Sequence, residues 1–123
     1  MVAWYFRVVA DDSFKEFVLD QLSRLPDVRA RAMFGAYGLF RGEYFFGILA
    51  EGRLYFKTDA DSKKNYTARG MGPFNYELKG RVITMSFHEV PPEILEQPPE
   101  LVLWAQRSLV LAAQKKKAVR RRP

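Results

Sequence analysis

The stretch Met33–Lys57, MFGAYGLFRGEYFFGILAEGRLYFK, leaves a chain little choice of fold. It carries eight Phe and Tyr residues, and five glycines cut it into strand-length pieces. Aromatic side chains suit pleated, half-buried surfaces, while glycine supplies positive φ and close backbone approach. The expectation is an antiparallel meander at the centre of a sheet that flanking helices must cover. Tyr44–Ala50 and Arg53–Lys57 read as strands joined at Glu51-Gly52, preceded by a shorter strand at Leu39-Phe40. The glycines do not make a phosphate cradle, because neither Gly-x-x-x-x-Gly-Lys-Ser/Thr nor three glycines opening a helix occurs. Gly35-Ala36-Tyr37-Gly38 reads instead as a bulge or sharp bend.

The flanks supply the rest of the elements. Ser13 with Glu16 has the form of a capping box, and Phe14, Phe17, Val18, Leu22 and Leu25 then share one helical face up to Pro26. From Val28 to Phe34 the pattern alternates, with Val28, Ala30, Ala32 and Phe34 on one side and Arg29, Arg31 and Met33 on the other. Asp59 is placed to cap a second, polar helix that Gly70 ends. Phe74–Tyr76 and Arg81–Glu89 form two more strands. In the second of them Ile83, Met85 and Phe87 alternate with Thr84, Ser86 and His88, which implies one wet face. Pro91-Pro92 and Pro98-Pro99 frame a short helical turn and open a last helix, whose inner side is Leu101, Trp104, Ala105, Ser108, Leu111 and Ala112. The order α-β-β-β-β-α-β-β-α is that of an α+β fold, a two-layer arrangement of about six antiparallel strands with three helices mainly on one face.

A chain of 123 residues predicts a single domain. The expected division is a loosely held or strand-like leader at 1–10, the folded domain at 11–114 and a basic tail at 115–123. The leader does not resemble a secretion signal, since Arg7 interrupts it, no basic residue precedes its apolar run, and acidic residues follow at once. No apolar run approaches the ~20 residues that span a bilayer. Absence of cysteine removes disulfides and thiolate catalysis, and the cytoplasm is the expected compartment. The net charge of +6 is concentrated at one end: KKKAVRRRP holds six of the twenty basic residues and no acid, so residues 1–114 carry 14 basic and 14 acidic groups.

Catalytic chemistry finds no foothold in this pattern. His88 is the only histidine, and same-face strand neighbours such as Ser86 lie beside it rather than head-on, with no third group to orient a pair. It reads as an exposed strand histidine, and no metal-ligand spacing accompanies it. No catalytic, cofactor-binding or metal-binding residue is therefore expected. Partner binding has better candidates. Lys115, Lys116, Lys117, Arg120, Arg121 and Arg122 are suited to weak, salt-dependent and non-specific contact with nucleic acid, although lysines there also suit the negative end of the last helix. Tyr37, Arg41 and Tyr55 are the candidates for protein contact from the solvent side of the meander. An aromatic-rich sheet with three helices to cover it also suggests self-association, as a homodimer, through an open face or edge.

The chain resembles the N-terminal domain of the TfoX/Sxy family, regulators of bacterial competence for DNA transformation. The resemblance runs over roughly residues 11 to 113 and rests on Met33-Phe34-Gly35 with Tyr37-Gly38, Phe46-Gly47 to Ala50, and Arg53 to Lys57. It continues through Gly70-Met71 with Pro73-Phe74 and Tyr76, Met85-Ser86-Phe87, Val90-Pro91, Leu95, Trp104, Ala105 and Leu109. It implies a compact α+β domain without known catalytic activity that works through protein contact, with transcription machinery or a transcriptional regulator as the partner class. Full-length members carry a second, helical domain, and the expectation is that the basic tail stands in its place here. The competing expectation is a small nucleic-acid-binding module acting through that tail.

Overall fold

The computed structural model describes residues 2–33 and 35–120. Ten elements follow one another: α1 (Val2–Gln21), β1 (Val28–Met33), β2 (Ala36–Arg41), β3 (Tyr44–Ala50), β4 (Arg53–Lys57), α2 (Lys63–Thr67), β5 (Pro73–Leu78), β6 (Arg81–Glu89), α3 (Pro92–Leu95) and α4 (Pro98–Arg120). The strands form one sheet in the order β1-β2-β3-β4-β6-β5, with every pairing antiparallel. The α+β class and the helix-on-one-face layering agree with the sequence pattern. The helix count is four among the described residues, because the proline-framed turn at Pro92–Leu95 is a short helix of its own.

One irregularity in β3 determines which aromatics reach the core. Leu39 pairs with Gly47 and Phe40 with Phe45, so Phe46 is an extra residue on the β3 side. The bulge turns Tyr44, Phe46 and Leu49 towards the helices, while Phe45 and Ile48 belong to the opposite face. Gly47 makes this possible, since a Cβ there would lie 3.1 Å from both Leu39 Cδ1 and the Tyr55 carbonyl oxygen. Beneath the helices Val18, Leu22, Leu39, Phe46, Leu54, Phe56, Leu101 and Ala105 form the centre of the core. The small Ala30 and the half-buried Val28 of β1 pack against the same cluster.

Several local expectations need correction. The first helix begins at Val2, not at Ser13, so Ser13 and Glu16 are mid-helix residues and the leader is helical rather than strand-like or loose. Continuous helical hydrogen bonding through Asp11-Asp12 outweighs a local capping signal. Phe17, placed on the inner stripe, is 41% exposed, whereas Val18 and Leu22 are fully buried. The bend expected over 35–38 is confined to Gly35, whose φ of +75° turns β1 into β2; Gly38 is an ordinary member of β2, paired with Arg31 and Ile48. Phe34, expected on the core side of β1, lies outside the described residues.

Asp59 does cap the second helical segment. Its carboxylate accepts from the Ser62 amide at 2.7 Å, and its own amide donates to Ser62 Oγ at 3.0 Å. At the other end Met71 N–H bonds Tyr66 C=O and Gly70 N–H bonds Thr67 C=O, with Gly70 at φ +78°. This is a Schellman closure, which glycine reaches without Cβ strain. Among the described residues no helix is long and apolar enough to cross a membrane.

Candidate functional site

His88 is buried, not exposed as its strand alternation suggested, because α2 lowers Tyr66 onto it with ring centroids 5.9 Å apart. A hydrogen bond of 2.9 Å joins His88 Nδ1 and Thr58 Oγ1. Burial, assisted by Lys63, holds its pKa below the ordinary histidine value, so the neutral ring is favoured. Ser86 is exposed on the same strand, and the partner of His88 is Thr58 instead. Around this pair Tyr66 packs edge-on against Trp104 at 4.7 Å, and Ser108 Oγ donates to the Lys57 carbonyl at 2.8 Å. Burial pushes the Tyr66 hydroxyl up and the Lys57 ammonium down, with Lys115 adding to the latter. The Thr58–His88 pair, the Tyr66–Trp104 contact and the Ser108–Lys57 carbonyl bond seam α2 and α4 to the sheet. Among the described residues no group of three His, Cys, Asp or Glu could hold a metal ion.

The candidate contact residues go to three different places. Tyr37 lies under α1, where its hydroxyl donates to Asp12 Oδ1 at 3.0 Å and Lys15 Nζ sits 4.9 Å from its ring. It is part of the packing on the helix side, not a solvent-side aromatic. Tyr55 belongs to the opposite face and meets Phe74 edge-on at 5.1 Å. Among the described residues no helix packs over that face. Phe40, Phe45 and Phe87 pack ring on ring across it at 5.0 Å spacings, and Met33, Ile48, Phe74, Tyr76 and Met85 close a cleft of about 130 Å³.

Arg41 is the candidate that reaches a sizeable surface feature. It lines a shallow groove of about 900 Å³ between α4 and the outer strands of the sheet. The opposing wall is a stripe of α4, Gln106, Val110 and Ala113, with Leu109 beneath; spacings of three and four residues put them on one helix face. Asp27, Arg29, Gly42 and Tyr44 complete the lining. Arg29 Nη2 donates to the Gly42 carbonyl at 3.3 Å, which anchors that guanidinium at the groove's edge, and Gly42 reaches its turn conformation at φ +60°. Val110 is 55% exposed, a large apolar side chain that the fold itself does not cover.

Of the basic residues expected in the tail, Lys115, Lys116, Lys117 and Arg120 continue α4. Lys116 pairs with Glu43 at 2.9 Å beside the turn that carries Gly42, and Lys115 and Lys117 are exposed. Arg121 and Arg122 lie outside the described residues. Sequence reasoning missed Arg29, Tyr44, Gln106 and Val110, which only the crossing of α4 over the sheet brings together. One signal was available: Val110 is apolar yet falls off the inner stripe of its helix.

The sequence profile of the TfoX N-terminal domain matches residues 20–112. The chain is also 27% identical over 93 residues to the DNA transformation protein TfoX1 of Aliivibrio fischeri, an alignment that takes in 76% of this chain and 42% of that protein. The chain thus spans under half the length of the curated relative it matches. With the profile covering the sheet, the bulge and most of α4, the chain belongs to the TfoX N-terminal domain family.

Proposed function

We propose that the protein regulates DNA transformation from the cytoplasm by contacting another protein, transcription machinery or one of its regulators, and performs no chemistry of its own. The observation that carries this reading is family membership together with the similarity to a DNA transformation protein. The residue chemistry supports it. The one histidine is consumed in a buried hydrogen bond, and the groove that Arg41 lines offers apolar and cationic side chains rather than a nucleophile with a base. Deleting the gene should change the frequency of transformation by added DNA, and the wild-type copy should restore it. Unchanged transformation and unchanged transcript levels in the deletion strain would refute the reading.

The cationic end of α4 favours a second reading, non-specific contact with nucleic acid, because Lys115 and Lys117 are exposed beyond a charge-neutral body. Replacing the six tail cations by glutamine should then abolish duplex DNA binding and its salt dependence. Equal binding by the native and neutralised chains across a salt series would eliminate this reading.

A further inference from the structure

We propose that the groove between α4 and the β1–β2 side of the sheet docks an acidic amphipathic segment of a partner protein, an inference that rests on the protein-contact reading above. The groove has two chemical halves. Leu109, Val110 and Ala113 make an apolar wall, and Val110 is more than half exposed. Arg29 and Arg41 face it from the strands, opposed by one lining acid, Asp27. Arg41 has no ion pair or hydrogen bond from its side chain among the described residues. On α4 the lining is Gln106, Leu109, Val110 and Ala113, and helical spacing continues that stripe to Lys117 one turn beyond the groove, from apolar to cationic.

An occupant must therefore bring an apolar face for α4 and carboxylates for Arg29, Arg41 and the end of the helix. A helix with leucine-type anchors on one side and Asp or Glu on its flank has that form. Nucleic acid fits less well, since a phosphate backbone leaves the apolar wall without a partner. Arginine presents a planar fork to carboxylates, which gives the pairing direction as well as attraction. A groove this open contributes through complementarity along its length rather than through enclosure.

The test is selection of ligands from a randomised peptide library displayed on phage, panned against the full chain and against the Arg29→Glu/Arg41→Glu double variant. Peptides enriched on the native chain should combine Asp or Glu with Leu or Phe at helical spacing. A synthetic copy of the best one, followed by fluorescence anisotropy, should bind the double variant about tenfold or more weakly and lose affinity with added salt. Val110→Asp should weaken it about tenfold as well. Lys79→Glu, in the remote β5–β6 turn, should leave it unchanged. Circular dichroism of each variant separates lost binding from lost fold.

Failure to enrich anything over the double variant, enrichment without acidic bias, or binding indifferent to Arg41→Glu would each overturn the proposal. So would self-association of the native chain that Arg41→Glu removes, which would make a second copy the occupant. Duplex DNA binding that needs both arginines, with no peptide selected, would hand the groove to nucleic acid. Complementation of the deletion strain keeps the two readings apart. If wild type restores transformation and Arg29→Glu/Arg41→Glu restores it equally, the groove proposal fails while the regulatory reading stands. If deletion has no effect on transformation, the regulatory reading fails whatever the peptides show.

Discussion

The two faces of the sheet are built from similar residues and held by different means. On the helix side Phe46 and Phe56 are fully buried, 5.8 Å apart, beneath the helical layer. On the other side Phe40, Phe45, Tyr55 and Phe74 are half-buried and shielded chiefly by one another. Arg31 and Lys57 lie over the rings of Phe40 and Phe87 at 5.4 and 5.2 Å, adding cation–π cover where a helix is absent. Composition therefore does not tell the faces apart; the layer above each one does. Phe45 and Phe46 make the cleanest comparison, because they are adjacent in β3 and strand alternation puts them on opposite sides. Phe46→Ala should be the most damaging change, costing about 3–5 kcal/mol by opening a cavity that the surrounding core cannot fill. Phe45→Ala should cost about 2 kcal/mol, since the ring is only partly removed from water and loses two aromatic neighbours. Urea unfolding of both variants checks the contrast, and equal losses would mean that the open face is as tightly held as the covered one.

A subtler break in the comparison uses the two strand glycines. A Cβ on Gly47 meets Leu39 Cδ1 and the Tyr55 carbonyl oxygen, each at 3.1 Å, and the carbonyl belongs to a neighbouring strand that cannot step aside alone. A Cβ on Gly38 comes closer, 2.7 Å from Met33 Sδ and 2.9 Å from Phe40 Cε1, but both atoms are ends of side chains on the open face. Gly47→Ala should thus destabilise by about 1–3 kcal/mol, and Gly38→Ala by less than about 1 kcal/mol, despite the shorter distances. Thermal melts of the two variants order them. A larger loss at Gly38 would show that the open face is rigidly packed.

Much of this was legible in the sequence because it rests on local periodicity. β3, β4 and β6 fall where aromatic and β-branched runs place them, and the glycine turns at 42 and 52 lie on either side of β3. The layering follows from element order alone. Four things were not legible. The start of α1 depended on whether a capping signal would interrupt a helix already running, which Ser13 and Glu16 do not reveal. The bulge at Phe46 is a property of pairing with β2, so it depends on residues six or seven positions away along a hairpin. The fate of His88 was set by α2, whose mostly polar sequence gave little hint that Tyr66 would cover β6. The groove is the extreme case. Arg41 was visible as a candidate, but its neighbours Gln106 and Val110 come from the other end of the chain, and no local pattern joins them.

His88 gives the last and smallest test, because it is a titrating group on the covered face, buried beneath Tyr66 of α2. Its pKa lies below the 6.5 of a free histidine, first because burial disfavours the charged ring and then because Lys63 repels it. The unfolded chain therefore binds the proton more tightly than the folded one, and stability rises with pH wherever that is so. The contribution of the neutral ring is fully present above 6.5 and is lost progressively as pH falls towards the lower folded value. Lys57 has the same sign in a separate window: its folded pKa is also lowered, so stability gained from its deprotonation grows as pH rises towards 10.5 and does not confuse the acid limb. Urea midpoints compared at about pH 7.5 and about pH 5.5 should fall for the native chain on acidification. In His88→Asn, whose amide can still reach Thr58, that part of the slope should disappear while the carboxylate-driven loss at lower pH remains. An unchanged slope in the variant would mean that the ring is open to water, and that the helix layer over β6 is no better a cover than the bare face behind it.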